Sequence, residues 1–365
     1  MHMRASATDI RRSKHEDQST SMIQVWIPKT GAPDILEVRE APDPMPGPGQ
    51  VLIAVEASGI NFADILARQG LYPDAPKLPA VVGYEVAGAV VGVGEGVKRF
   101  SEGDRVMAMT KFGGYSSMVA ASETGVFKRP EGMSAQIGAA IPVNYLTAFQ
   151  LMVVMGGIRH AQELGGTRLK VLVHGAAGGV GTAAADLGKI YGVELFGTAS
   201  PGKHDYVRER GYAHAIDYRT GDWVKEVMDI TGGRGVDLIL DPIGGGHWKK
   251  SFDALAPTGR LAVYGFSAAT GKGKLGFLRE GMRIPFRRFL PLSLLNRNQG
   301  VLGVNLGHLW NHIGEMQNWV QKLLSYYERG DIQPHVDRVF PFDQAGDAHA
   351  YIEARKNIGK VLLAP

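Results

Sequence analysis

Cysteine is missing altogether from these 365 residues. Its absence excludes disulfides, iron–sulfur clusters and thiolate zinc sites together. Nor does one sign of charge dominate. Lys and Arg number 40 against 36 Asp and Glu, and both signs are mixed along the chain, so no nucleic-acid partner is expected. A long apolar run is lacking too. The longest, "IPVNYLTAFQLMVVMGG" at 141–157, carries Asn144 and Gln150 and predicts a buried helix, not a membrane span. Residues 1–21 are polar, and no apolar segment follows the Arg11-Arg12 pair. They predict a disordered extension without an export signal, and a cytoplasmic protein.

Glycine, by contrast, is abundant at 49 residues and has no repeat period. Such usage, above the ordinary ~7%, predicts many tight turns and close backbone approaches. The length points to two domains. From Ile23 to about Val119, short alternating runs such as "VLIAVEASGI" and "YEVAGAVVGVG" stand between Gly and Pro clusters, the pattern of a β-rich unit. Beyond about residue 145 the texture changes. Strands are predicted near 169–174, 193–198, 213–217, 236–241, 260–265 and 300–304, with helices near 180–191, 203–211, 222–230 and 247–256. That alternation predicts an α/β fold with a parallel doubly wound sheet. A helix near 308–328 and a closing strand "GKVLLAP" predict that the tail rejoins the first unit. The expected division is 22–144, 145–306 and 307–365, the last part returning to the first domain.

After the strand "KVLVH" comes "GAAGGVG", in which Gly175, Ala176, Gly178, Gly179, Val180 and Gly181 lead into a helix. Small residues at a strand–loop–helix junction let a pyrophosphate approach the backbone and the helix N-terminus. At the end of the next strand an NAD-binding fold usually places Asp or Glu against the ribose hydroxyls. Here the sequence is "TASPGK", with Ser200 and Lys203 and no carboxylate to repel a 2′-phosphate. NADPH is therefore the expected cofactor. Two readings stand for Lys203, a phosphate ligand or a solvated helix-start lysine. Two stand for Tyr218 as well, covering the phosphate or packing at a strand end.

The segments "GINFADILARQGLY" (59–72), "GEGVKRFSEGDRVM" (94–107), "HGAAGGVG", "FGTASPGKH", "IDYRTGDWV", "DPIGG" (241–245) and "KNIGKVLLAP" occur in one order along the chain. From Ile23 onward the sequence resembles the zinc-independent quinone oxidoreductase branch of the medium-chain dehydrogenase/reductase superfamily, most of all the vesicle amine transport protein 1 homologues. The resemblance implies a GroES-like β-rich catalytic domain with an inserted Rossmann domain. It also implies hydride transfer from NADPH to a quinone or α,β-unsaturated carbonyl, and a homodimer joined through the sixth strand. Zinc-dependent relatives carry a cysteine in the segment equivalent to "GINFAD" and a histidine inside a Gly-His-Glu motif. This chain has Asn61 and Tyr84 there, and no four-cysteine lobe. No His–carboxylate cluster has metal spacing in the sequence, so no metal is expected.

Without a Lewis acid, charge developing on the substrate carbonyl must be met by hydrogen-bond donors or water. The resemblance points to Asn61 and Tyr72 as donors or positioners, against a capping role for Asn61 and plain packing for Tyr72. Asp64 is a further candidate, otherwise a helix-start charge or a partner of Arg68. Thr147, with Asn144 beside it, matches a position next to the nicotinamide; the alternative is polar satisfaction within a helix. By the same resemblance Asp241, Gly265, Phe266 and Val304 border the nicotinamide half. Arg355 reaches the adenosine phosphate or stands as a solvated charge.

One segment fits a different class of protein. "GKGKLGFLREGMRIPFRRFLPLSLL" (271–295) interleaves Lys272, Lys274, Arg279, Arg283, Arg287 and Arg288 with apolar residues. It could lie on an anionic membrane. The favoured reading is a channel loop between the fifth and sixth strands, with an NADPH-binding, membrane-associated protein of little turnover as the alternative.

Overall fold

The fold is that of a computed structural model, which describes residues 21–365; the expected extension lies outside the described residues except for Ser21, which already belongs to a strand. Strands β1 (Ser21–Trp26) and β2 (Glu37–Pro42) form an antiparallel pair. Next come β3 (Gln50–Gly59), β4 (Glu85–Val93), β5 (Arg105–Met109), β6 (Met118–Ser122) and β7 (Val126–Lys128). Alternation along β3 turns Val51, Ile53 and Val55 into one core with Val86, Val90 and Val106.

The second unit carries β8 (Lys170–His174), β9 (Glu194–Ala199), β10 (His214–Asp217), β11 (Val236–Asp241), β12 (Leu255–Val263) and β13 (Gly300–Gly303). They pair in parallel in the order β10-β9-β8-β11-β12-β13, the doubly wound sheet the alternation predicts. Every residue of β11 is buried, as expected for a central strand covered on both faces. The strand order reverses at β8, and the crevice beyond the strand ends there is where such sheets take ligands. One strand departs from expectation. β12 starts at Leu255 rather than near 260, because Val236 pairs with Leu255 and Leu238 with Arg260. The surplus residues bulge around Thr258 at φ +69°, which a periodicity reading does not register.

The chain then closes with β14 (Val336–Pro341) and β15 (Lys360–Ala364). β15 runs parallel to β14 and antiparallel to β3, so the last strand completes the first sheet and brings Lys360 to the boundary between the units. The residues 135–154 form a helical run long and apolar enough to cross a membrane, yet 78% of its most apolar window is buried inside the protein. It is a core helix. It presents Asn144 and Thr147 to the gap between the units.

Candidate active site

A cleft of about 1600 Å³ separates the two units. At its centre the loop after β8 turns at Gly175, φ +72°, and Gly178 caps the 13-residue helix Gly179–Tyr191. A left-handed residue at 175 and bare backbone beside the helix N-terminus are what a bound pyrophosphate requires. Gly179 has a second reason to lack a side chain, since a Cβ there would run into the Asn144 amide. Gly175, Gly178, Gly179, Val180 and Gly181 all line the cleft, with Asn144 and Thr147 opposite. Ala176 does not. It is 1% exposed, and its N–H donates to the Thr198 carbonyl at 3.1 Å, so it supports the loop from beneath.

At one end the cleft is basic. Lys203 Nζ donates to the carbonyls of Arg355, at 2.9 Å, and Asn357, at 2.5 Å. It is not a solvated lysine, and burial lowers its pKa. The Arg355 guanidinium reaches the Tyr218 hydroxyl at 3.5 Å, and Arg219 lies 5.9 Å from the Tyr218 ring. Burial alone would raise the Tyr218 pKa, but Arg355 and Arg219 outweigh it and pull the phenol below its ordinary value. Ser200 lines the same corner. Gly359 N–H bonds the Ala177 carbonyl at 2.8 Å, so this C-terminal segment is stitched onto the glycine loop.

At the other end Asn61, Tyr72 and Tyr84 meet. The Asn61 amide donates to Glu85 Oε1 at 3.0 Å, and its Oδ1 accepts from Lys360 Nζ at 2.8 Å. Lys360 Nζ also pairs with Glu85, both side chains being at most 3% exposed. Asn61 thus caps the helix Phe62–Arg68 and belongs to a buried ion network, which leaves its amide little freedom to serve a substrate. The other hydrogen-bonding groups at this end are the tyrosine hydroxyls. Tyr72 and Tyr84 stand edge to face, with ring centroids 6.3 Å apart. The Tyr84 hydroxyl is close enough to interact with Tyr72 but satisfies no hydrogen-bond geometry among the described residues. Burial, and behind it the Asp64 carboxyl, push the Tyr84 phenol up, so it remains a proton-bearing donor. Phe266, packed at 5.3 Å on Phe277 and 5.9 Å from Trp248, supplies an apolar wall, and Gly265 and Val304 complete that side.

Two carboxylates expected at the site do not line the cleft but lie buried directly behind its wall. Asp64 is fully buried behind the cleft, accepting from Asn61 N–H at 2.8 Å, Gly83 N–H at 3.1 Å and Tyr115 Oη at 3.0 Å. Burial raises its pKa to about 7. It does not pair with Arg68, which bonds Glu353. Asp241 is fully buried as well. It organises the turn 242–247 through Ile243 N–H, at 2.7 Å, and Gly244 N–H, at 3.2 Å, with Ser251 Oγ and His247 Nδ1 on its other oxygen. Its neighbours Pro242 and Ile243, not Asp241 itself, line the cleft. Against the desolvation that would raise it, hydrogen bonding by His247 and the charges of both histidines lower its pKa to about 2. The same residues correct a second expectation. Asp241, His174 and His247 form a His–carboxylate cluster with ligand atoms within 4.8 Å, assembled from positions too far apart for sequence spacing to reveal.

Comparison with known proteins agrees with this geometry. Residues 47–142 match the alcohol dehydrogenase GroES-like domain, and residues 210–363 match the family described as zinc-binding dehydrogenase. The human synaptic vesicle membrane protein VAT-1 homolog is 40% identical over 333 residues, 90% of this chain and 82% of that one. The chain belongs to the medium-chain dehydrogenase/reductase superfamily, in its VAT-1-like group. Within that superfamily it is also 33% identical to a Pseudomonas aeruginosa quinone oxidoreductase, over 92% of this chain and 97% of that one. The crystal structure of Escherichia coli quinone oxidoreductase complexed with NADPH superposes with a TM-score of 0.82 at 30% identity, covering 94% of this chain and all of that one.

The zinc named in the matched superfamily description must be tested against the residues present. Where zinc-dependent members carry thiolate and imidazole, this chain offers the Asn61 amide, already bonded on both sides, and the Tyr84 phenol. The adjacent Glu85 is neutralised by the Lys360 ammonium. A buried cation thus already compensates the one available carboxylate, and the set does not fit a zinc ion there.

Proposed function

We propose that this protein is an NADPH-dependent, zinc-independent oxidoreductase that delivers hydride to a quinone or an α,β-unsaturated carbonyl. The observation carrying this reading is a cleft with a lysine- and arginine-lined corner at one end and the edge-to-face pair Tyr72 and Tyr84 at the other. NADPH, when bound, supplies the hydride. The chain's residues do the rest. The glycine loop and the N-terminus of Gly179–Tyr191 hold a pyrophosphate, while Ser200, Lys203, Tyr218 and Arg355 receive a 2′-phosphate. Asn144 and Thr147 flank the nicotinamide position. Tyr72 and Tyr84 donate to a carbonyl oxygen as charge develops on it, and Phe266 with Phe277 excludes water from a planar acceptor. The test is a panel assay of NADPH and NADH oxidation with quinones and enones.

A cytoplasmic homodimer joined through β13 belongs to the same proposal. Its support is that β13 is the edge strand of its sheet, leaving a ladder of backbone groups for a second copy.

A second reading has its own observation. The residues 273–297 form three short helices that leave Leu275, Met282, Phe286, Leu292 and Leu295 between 65% and 83% exposed, beside Arg279 and Arg287. An apolar and cationic surface of this kind supports association with anionic membranes. Co-sedimentation with phosphatidylserine vesicles that is abolished by Leu275→Ser and Leu292→Ser would favour this reading. Arg288 is a poorer target, because it is paired with Asp253 at 2.8 Å.

A further inference from the structure

At the floor of the cleft, three side chains from separate segments converge. His174 ends β8, Asp241 ends β11, and His247 opens the helix His247–Asp253; one ligand atom from each lies within 4.8 Å of the other two. The imidazole rings stand almost perpendicular, at 82°, with centroids 4.5 Å apart. Trp223 packs against both rings and closes the site on one side.

His174 is the telling member. It is 1% exposed; its Nδ1 lies 3.0 Å from Thr198 Oγ1, and its Nε2 has no hydrogen-bond partner among the described residues. With Nδ1–H donating to the threonine oxygen, Nε2 is left as a buried lone pair. Native proteins seldom leave such an atom unmatched. Asp241 is held by the backbone N–H groups of Ile243 and Gly244, and it orients His247 through Nδ1 at 2.9 Å. Thr198 fixes the His174 ring in the way that metal-ligating imidazoles are commonly oriented, while His247 Nδ1 and Asp241 Oδ2 already face each other as a proton-sharing pair whose proton a cation can replace.

We propose that His174, His247 and Asp241 form a binding site for a divalent first-row transition ion such as Zn²⁺, Ni²⁺ or Co²⁺. Two imidazoles and a carboxylate suit these ions and not Mg²⁺ or Ca²⁺, which take oxygen ligands. Bond lengths of about 2.0–2.2 Å put tetrahedral ligand atoms roughly 3.4 Å apart, so the ion would displace the proton that His247 Nδ1 shares with Asp241 Oδ2 at 2.9 Å while the three ligand atoms, all within 4.8 Å of one another, adjust around it. His247, which is 18% exposed, can make that movement. Both histidines border the cleft, which leaves the remaining coordination position open to a small molecule or water. The site is distinct from Asn61 and Tyr84, which stand where zinc-dependent relatives place their metal, and it joins the two strand ends that frame the ligand crevice.

The test is calorimetric titration of the full chain, freed of metal by dialysis against chelator, with ZnCl₂ and separately with NiCl₂. The expected result is one ion per chain, with affinity falling by roughly tenfold or more in His247→Gln and again in His174→Gln. His247→Gln is the decisive variant, because a partly exposed side chain can be exchanged without opening the core. Unaltered circular dichroism and melting temperature verify its fold. Absence of one-per-chain binding in the unmodified protein, or binding unchanged by His247→Gln, would overturn the proposal.

Discussion

The Lys203 ammonium donates to the Arg355 carbonyl at 2.9 Å, which holds a C-terminal residue against the end of β9. Arg355 adopts φ +54°, so its guanidinium turns toward Tyr218. A lysine has three donors, and after its bonds to Arg355 and Asn357 one remains for a phosphate oxygen. Charge-assisted bonds of this kind are worth about 1.5–3 kcal/mol. Lys203→Ala should therefore reduce the ratio of NADPH to NADH affinity by roughly ten- to a hundredfold, read by fluorescence titration with both nucleotides. An unchanged ratio would remove Lys203 from the 2′-phosphate site.

The unpartnered Tyr84 hydroxyl gives a prediction of opposite signs. Removing a donor aimed at developing charge costs about 10²-fold in kcat. Removing a buried hydroxyl that bonds nothing costs no stability. Tyr84→Phe should lower kcat with NADPH affinity unchanged and leave the melting temperature equal or higher. A fall in both kcat and melting temperature would mean the hydroxyl is structural.

The Lys360–Glu85 pair is nearly inaccessible, so each charge depends on the other. Lys360→Met leaves a carboxylate buried without its cation, and should cost about 3–5 kcal/mol in urea unfolding. The double variant Lys360→Met, Glu85→Gln should recover most of that loss. If the double variant is as damaged as the single, the lysine matters for packing and not for charge.

His349 is fully buried against Tyr115 and Arg68, with Asp64 behind Tyr115 and Glu353 beyond Arg68. Burial, reinforced by the Arg68 charge, lowers its pKa from 6.5 to about 3. A histidine kept neutral in the native state gives stability that is present above pH 6.5 and is lost as pH falls toward 3. Asp64, raised from 3.8 to about 7, works the other way, since its stabilising effect is lost as pH rises through that interval. The two oppose each other between about pH 4 and 6.5. In His349→Gln only the Asp64 contribution remains, so the stability gap to the unmodified protein should narrow from pH 7.5 to 4.5 by up to about 3 kcal/mol, at about 1.4 kcal/mol per unit. Urea unfolding at both values checks this; a constant gap contradicts it.

What the sequence discloses is what is local. Gly175 to Gly181 can be read because strand, loop and helix are contiguous, and Ser200 and Lys203 because they follow the next strand at once. The six parallel strands and the return of "GKVLLAP" to the first sheet are likewise written in periodicity. Lys360 has no local signature, because its partner Asn61 is 299 residues away. Tyr84 is visible in the sequence only as the residue standing where a histidine ligand would be, with no sign that it borders the cleft beside Tyr72. Asp64 and Asp241 show the same limit in reverse. A carboxylate in a family motif looks catalytic until the turns it organises are seen. The His174–Asp241–His247 cluster depends on sheet order, which brings β8 beside β11 although β9 and β10 separate them in sequence.

The central claim is hydride delivery from NADPH without a metal. It is tested most directly by following NADPH oxidation anaerobically against quinones and enones, with NADH and acceptor-free controls and with the protein stripped by chelator. The account predicts saturable turnover, preference for NADPH, and no loss on stripping. Tight NADPH binding with no turnover on any acceptor, or activity restored only by added zinc, would contradict it.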